Sequence, residues 1–332
     1  MFDIITFGSA TQDIIVRPKK LTVLKYNKYS SLKEEVCFPV GSKIEVEDMK
    51  FYSGGGGTNT AATFALQGFK TAFCGTVGND LSGKEIINEL KQLKINVGFI
   101  LETDKKLTNH SIVISDSGKD RTILTYRGAS ELMGKNDIPF NKIKTCLPAG
   151  RWIYLAPLSG LLCEAFEYIV DFANKNKIKI AVNPSIAQLS LPKEKLERIF
   201  NKVDILILNQ EEASFLTKIS FENENEIFKK VDQICSGIVV MTKGGDGVVV
   251  SDGKDLYRAK PLPERKVVDT TGAGDSFASG FISDFIRHND IEKAIQLGMA
   301  NSTSCLGEFG AKNGLLNKNS QFKRVQVIKE KL

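Results

Sequence analysis

The sequence predicts an α/β fold: a doubly wound, mostly parallel sheet flanked by helices, with a small β-sheet standing off it. Three observations point there. Short β-branched runs recur along the 332 residues, separated by stretches of helical periodicity. These runs are apolar nearly throughout, the pattern of strands covered on both faces. Two further regions break the alternation of strand and helix and read as antiparallel β instead.

Taken in order, the parallel strands are IITFG (Ile4 to Gly8), TAFCGTVG (Thr71 to Gly78), RWIYLAP (Arg151 to Pro157), IKIAVNPS (Ile178 to Ser185), DILILNQ (Asp204 to Gln210) and GIVVMTKGG (Gly237 to Gly245). Amphipathic stretches such as GKEIINELKQL and CEAFEYIVDFANKNK lie between them and cover the sheet. The first antiparallel region runs from Asp13 through IIVRP to SKIEVEDMKFY, ending at Tyr52. The second contains HSIVISDSGKDRTILTYR, a hairpin turning at Ser117-Gly118-Lys119-Asp120. One domain over 1–332 follows, with the small sheet inserted from about 13–52 and 97–128 and placed to act as a lid.

Composition narrows the functional classes. Hydrophobic residues make up 42% and charged residues 25%, and no apolar run reaches the roughly 18 residues that cross a bilayer. The start, Met1-Phe2-Asp3, carries an acid where a secretory leader is basic, so a cytoplasmic protein is expected. Cysteines 37, 74, 146, 163, 235 and 305 form no CxxC pair and read as reduced thiols. The net charge of +6 is spread along the chain and not gathered on one helix or tail, which speaks against nucleic acid; it suits an anionic small-molecule ligand or, as the plainer and favoured reading, a solvated lysine-rich surface, and no membrane partner is expected.

Two glycine-rich stretches carry the chemistry. In SGGGGTN, glycines precede Thr58, Asn59 and an alanine-rich helix, so backbone N–H groups meet a ligand at a helix N-terminus while Asn59 offers donors and an acceptor to a polyhydroxylated compound. The plain alternative is a linker followed by a capped helix. In VVDTTGAGDSF, the N–H groups of Gly272, Ala273 and Gly274 converge ahead of a helix starting near Asp275, forming an anion hole strengthened by the helix dipole. Asp275 then stands where a carboxylate can take a proton from a hydroxyl that attacks phosphorus; the plain alternative is a helix cap. Familiar phosphate motifs are excluded. GNDLSGKE has the GxxxxGK spacing but carries Glu85 in place of the Ser or Thr that holds magnesium, and TGAGDSF lacks the third glycine of a dinucleotide fingerprint. LNQEEASFL sets Asn209 and Glu212 at a strand end, where Glu212 orders magnesium-bound water or merely compensates the helix dipole. TKGGDGVVV ends the next strand in a glycine turn, where backbone and Thr242 reach a nucleotide phosphate or ribose; the plain alternative, which this stretch alone favours, is a hairpin turn.

These elements, in this order, resemble the ribokinase or PfkB family of carbohydrate and nucleoside kinases over nearly the whole chain. SGGGGTN resembles its GGxGxN motif, DTTGAGD its C-terminal motif, NQEE its NxxE motif, and GSATQD its opening strand with a substrate-binding aspartate. The resemblance implies a ribokinase-like fold with a β lid, and transfer of the ATP γ-phosphoryl to a substrate hydroxyl. It implies Asp275 as catalytic base with Gly272, Ala273 and Gly274 as anion hole. Asp13, Gly55, Gly57 and Asn59 would bind substrate, and Asn209, Thr242, Gly244, Gly247 and Asn301 the nucleotide. Glu212 would act on Mg2+ through water, and Asp269 and Thr271 mark the region where many members hold K+. Gly56 stands where ribokinases proper carry a lysine, which leaves ribose unassured, and Arg121 and Arg127 flank a strand resembling that of sugar-acid and fructose kinases. The expected function is an ATP-dependent kinase acting on a hydroxymethyl group of a small sugar, with homodimerisation through the lid. A nucleoside acceptor is the alternative, for which Phe38, Phe51 and Tyr126 are candidate base-stacking aromatics; a non-catalytic binder would require loss of Asp275 or of the anion hole.

Overall fold

The computed structural model describes residues 1–25, 34–115, 121–263 and 267–332. Its strands are β1 (Ile4–Phe7), β2 (Thr11–Pro18), β3 (Thr22–Lys25), β4 (Glu34–Cys37), β5 (Val46–Gly54), β6 (Thr71–Gly78), β7 (Asn96–Thr103), β8 (Asn109–Ser115), β9 (Arg121–Tyr126) and β10 (Trp152–Leu155), followed by β11 (Lys179–Val182), β12 (Ile205–Asn209), β13 (Ile238–Thr242), β14 (Val248–Ser251), β15 (Asp255–Ala259) and β16 (Val327–Lys331). The main sheet runs β16-β15-β14-β13-β12-β11-β10-β1-β6-β7. From β7 to β13 every pairing is parallel. All six apolar runs named above form strands of this sheet, and β1, β6 and β10 are buried at every position. That burial is why they read as continuous rather than alternating.

Three neighbours at the β13 edge, β14 to β16, are antiparallel, and the last returns from the C-terminal end of the chain. Helices cover both faces, and the core lies in two large apolar layers. One centres on Phe7, Ile153, Phe166 and Leu206, the other on Ile4, Tyr154, Phe277 and Phe281. No helix among the described residues is long and apolar enough to cross a membrane, and none of the six cysteines is in a disulfide.

Strands β5, β2, β8 and β9 form a separate four-stranded sheet, and β3 and β4 pair as a two-stranded one. The expected hairpin of β8 and β9 is present, pairing His110 with Tyr126 through Ser115 with Arg121, while its turn at Ser117-Gly118-Lys119-Asp120 lies outside the described residues. The second segment of this sheet starts at Asn109 and not near 97: 96–103 is β7, which pairs with β6 in the main sheet. Its mixed polarity, NVGFILET, comes from an edge position with one flank open, not from membership of the small sheet.

The chain leaves β1 for the small sheet, returns at β6 on one side of β1, and later enters β10 on the other. A sheet whose order reverses in this way opens a crevice at the carboxyl ends of the strands beside the reversal. The sequence motifs fall at that edge.

Candidate active site

Each glycine of the run before Asn59 has its own steric reason. A Cβ on Gly54 would lie 2.0 Å from Oδ2 of Asp13, so its absence lets the carboxylate rest on the strand. Gly55 sits at φ +97°, and a Cβ there would meet the Ser9 carbonyl oxygen at 2.5 Å. At Gly56 a Cβ would stand 3.1 Å from the Ala156 side chain and 3.4 Å from Asp275 Oδ1, and at Gly57 it would meet Phe73 at 2.6 Å. The run packs the helix Gly56–Leu66 against β1 and leaves a bare floor beside Asp275.

The helix Ala273–His288 begins after Gly272, which adopts a left-handed φ of +76°. A Cβ on Gly272 would strike Ala311 at 2.5 Å, whereas one on Gly274 would meet nothing within 4 Å. Gly272 is therefore fixed by backbone conformation and packing, and Gly274 is open to a ligand. The first N–H groups of this helix have no acceptor within it; that of Ala273 makes a long contact of 3.4 Å to the Thr270 carbonyl oxygen in the preceding turn. Asp275 is the third residue of the helix and is half-buried. Its Oδ2 accepts a hydrogen bond from Asn59 Nδ2 at 2.8 Å, which ties the two glycine motifs together across 216 residues. Burial raises the Asp275 pKa above the ordinary carboxylate value, and the Asp13 charge adds to the rise while the Asn59 bond opposes it. Asn59 is only 5% exposed, and its Oδ1 has no hydrogen-bond partner among the described residues.

Asp13 is buried on β2, and Ser111 on β8 donates a hydrogen bond to its Oδ1. Strand pairing sets Asp13 opposite Tyr52 and Ser111, so these three share one face of the small sheet. The next row, Ile14, Phe51, Ile112 and Leu124, points the other way. Phe51 and Tyr126 both stand on that outer face, which corrects their candidacy as base-stacking aromatics; the aromatic on the Asp13 face is Tyr52. Phe38 is exposed just beyond β4. Arg127 is exposed beyond β9, and the Arg121 side chain lies outside the described residues.

Behind Gly274 a cavity of about 350 Å³ is lined by Asn209, Thr242, Gly244, Gly247, Ala273 and Gly274, with Phe277, Met299 and Ser302 among the residues that complete it. Four of the five residues expected to border a nucleotide therefore come together. Asn301 does not join them: it is fully buried, donating to Ser276 O at 2.8 Å and accepting from the Leu316 N–H at 2.8 Å. Its position in the helix Ile291–Leu306 turns it inward, while Met299, Ser302 and Thr303 face the cavity.

Asn209 and Glu212 form a reciprocal capping box at the start of the helix Gln210–Thr217, with N–H to carboxylate and N–H to amide oxygen distances of 2.8 Å each. Burial raises the Glu212 pKa. Asp269 is a loop anchor: Oδ1 accepts from the Thr271 N–H at 2.9 Å and hydroxyl at 2.7 Å, and Oδ2 from the Gly310 N–H at 3.0 Å. No cluster of three or more His, Cys, Asp or Glu side chains able to hold a metal occurs among the described residues. A magnesium ion that arrives on nucleotide phosphates and keeps several waters needs no such cluster.

The pfkB family carbohydrate kinase model matches residues 4–318. The chain belongs to that family. It is a phosphotransferase with an alcohol group as acceptor. Its relatives include an ATP-dependent 6-phosphofructokinase of Thermoanaerobacterium thermosaccharolyticum, 26% identical over 90% of this chain and 92% of that protein. An adenosine kinase of Schizosaccharomyces pombe is 26% identical over 77% of this chain and 80% of its own. The structure of Arabidopsis thaliana ribokinase complexed with ribose and ATP superposes with a TM-score of 0.77, covering 96% of each chain at 22% identity, and shows the shared ribokinase fold.

Sequence reasoning missed three residues of this pfkB kinase's site. Ser111 meets Asp13 only through the β2–β8 register, which no local pattern reveals. Tyr154 is fully buried, its hydroxyl has no partner among the described residues, and the Asp275 and Glu212 charges add to the rise in its pKa that burial causes. It reads in the sequence as an ordinary apolar strand residue. Lys312 lies 7% exposed in the loop after the helix Ile291–Leu306 and is one lysine among many in the sequence.

Proposed function

We propose that this protein transfers the γ-phosphoryl group of ATP to a hydroxyl, of hydroxymethyl type, on a small sugar or sugar-like compound, with Asp275 as general base. The observation that carries the proposal is the Asn59–Asp275 pair. It sets a carboxylate of raised proton affinity beside a buried, unpartnered amide oxygen, at the mouth of a helix N-terminus. Neighbouring hydroxyls of the substrate donate to Asn59 Oδ1 and to Asp13 and hold the acceptor so that its reactive hydroxyl donates to Asp275. Asp275 takes the proton as that oxygen attacks, and the N–H groups of Gly272, Ala273 and Gly274 stabilise the charge on the transferred group. ATP with its Mg2+ supplies the electrophile when bound, and the glycine-lined cavity beside Thr242 and Asn209 is where the nucleotide would lie. Glu212 would orient magnesium-bound water, and Asp269 and Thr271 would border a K+ ion.

The small sheet acts as a lid, closing over the acceptor and excluding water. Its outer face exposes Met49, Phe51, Ile112 and Leu124, with Phe51 at 60%, and a second copy of the chain covers that face in a homodimer. The cytoplasm, where ATP is available, is the expected location.

A nucleoside acceptor is the second reading, favoured by Tyr52, an aromatic on the Asp13 face. ADP release measured with Mg2+ and K+ across ribose, fructose, sugar phosphates, sugar acids and nucleosides separates the two. Turnover on a sugar and not on nucleosides supports the first reading. Turnover on nucleosides alone replaces it with the second.

A further inference from the structure

The loop 307–314 touches both halves of the site with three consecutive residues. Gly310 donates its N–H to Asp269 at 3.0 Å, and a Cβ there would lie 2.8 Å from the Tyr52 ring. Ala311 packs on Gly272, the residue that opens the anion-binding helix. Lys312 runs inward, its Nζ 2.6 Å from Ser53 Oγ and 2.9 Å from Glu89 Oε2. Ser53 also donates to Glu89, so lysine, serine and glutamate form a closed cluster joining this loop, strand β5 and the helix Leu81–Gln92. Ser53 adjoins Gly54, against which the Asp13 carboxylate rests.

Burying an ammonium is costly even when it is paired, and such pairs contribute little to stability against an apolar replacement. Their attested use is to fix one arrangement among several. Here the arrangement is the placement of the Asp13 sheet relative to the turn that carries the anion hole. We propose that Lys312 is a positioning residue that holds the acceptor-binding sheet in register with the anion-hole turn through Ser53 and Glu89. This rests on the kinase reading above. Lys312 touches neither reacting group; it acts through β5 on Asp13 and through Ala311 on Gly272.

The test compares Lys312→Met, Lys312→Arg and Ser53→Ala with wild type, reading KM for the acceptor and for ATP, kcat, and melting temperature. Lys312→Met is expected to raise the acceptor KM at least tenfold while the ATP KM stays within twofold and the protein remains folded. Lys312→Arg, which keeps the charge and the donors, recovers most of that loss, and Ser53→Ala shows a smaller rise of the same kind. Adding Glu89→Gln to Lys312→Met changes nothing further, because the partner is already gone. Equal KM changes for both substrates, an unchanged acceptor KM, or an arginine variant no better than methionine overturns the proposal.

Hydrogen exchange reads the same coupling without turnover. In Lys312→Met, exchange must rise both in Val46–Gly54 and in 307–314; unchanged exchange in either segment refutes the coupling even if wild type phosphorylates none of the acceptors. Wild-type silence on all acceptors counts against the kinase reading alone.

Discussion

Replacing Asp275 by Asn removes one proton acceptor and little else. The side chains are isosteric, and an Asn oxygen can still accept the Asn59 Nδ2 bond now made at 2.8 Å. Gly56 leaves the floor beside Asp275 bare, so the substitution creates no clash there. In the proposed mechanism the loss is general-base catalysis, worth about 10²–10⁴-fold. At about 1.36 kcal/mol per decade this is about 2.7–5.4 kcal/mol of transition-state stabilisation. Coupled ADP-release kinetics with the best acceptor should show kcat falling by that factor and the ATP KM changing little. Stability moves the other way. Because burial raises the Asp275 pKa on folding from its ordinary 3.8, ionising this group costs stability. Asp275→Asn is therefore expected to melt above wild type at neutral pH. The difference disappears below the unfolded pKa near 3.8 and grows as pH rises through the folded pKa. A variant with kcat within threefold of wild type, or one whose lost activity tracks a lower melting temperature, refutes the general-base assignment.

Four further outcomes follow from the same geometry. Asn59→Ala removes the bond that lowers the Asp275 pKa, so the acid limb of the kcat/KM profile should shift to higher pH and the acceptor KM should rise; an unmoved limb removes Asn59 from the pair. Gly272→Ala forces a left-handed residue against Ala311 and should cost about 1–3 kcal/mol in denaturant unfolding. Gly274→Ala, whose methyl meets nothing within 4 Å, should leave stability unchanged and weaken ATP binding. Phe51→Asp places a charge on the exposed outer row of the small sheet; if a second copy covers that face as proposed, sedimentation should show dimers for wild type and monomers for the variant, and monomers for both refute it.

Much of this was legible in the sequence, for identifiable reasons. The parallel strands are buried on both faces, so their apolar runs survive as unbroken words such as IITF and WIYL. The glycine motifs are legible because each backbone demand, a positive φ at Gly55 or Gly272 or a bare surface at Gly56, admits few other residues. What escaped depends on pairing at a distance. The register of β2 against β5 and β8 decides that Tyr52 and Ser111, and not Phe51, share a face with Asp13, and a shift of one residue would reverse it. Asn301 was misplaced because a helix exposes some positions and buries others, and its side chain bonds inward to Ser276 and Leu316. The hairpin at TKGGDGVVV, which joins β13 to β14, was legible, but β15 and β16 escaped because the last of them comes from the far end of the chain and only pairs once the sheet exists. Lys312 is invisible until the fold carries it to Ser53 and Glu89.

The proposed reaction is direct phosphoryl transfer between two bound substrates. The measurement that tests it most directly follows ATP labelled in its γ-phosphoryl group, with the product identified by mass spectrometry and its ADP counted alongside. Label is expected on one hydroxyl of the acceptor, with one ADP per labelled product and almost no ADP without acceptor. Label appearing only as inorganic phosphate, at a rate indifferent to the acceptor, would contradict it.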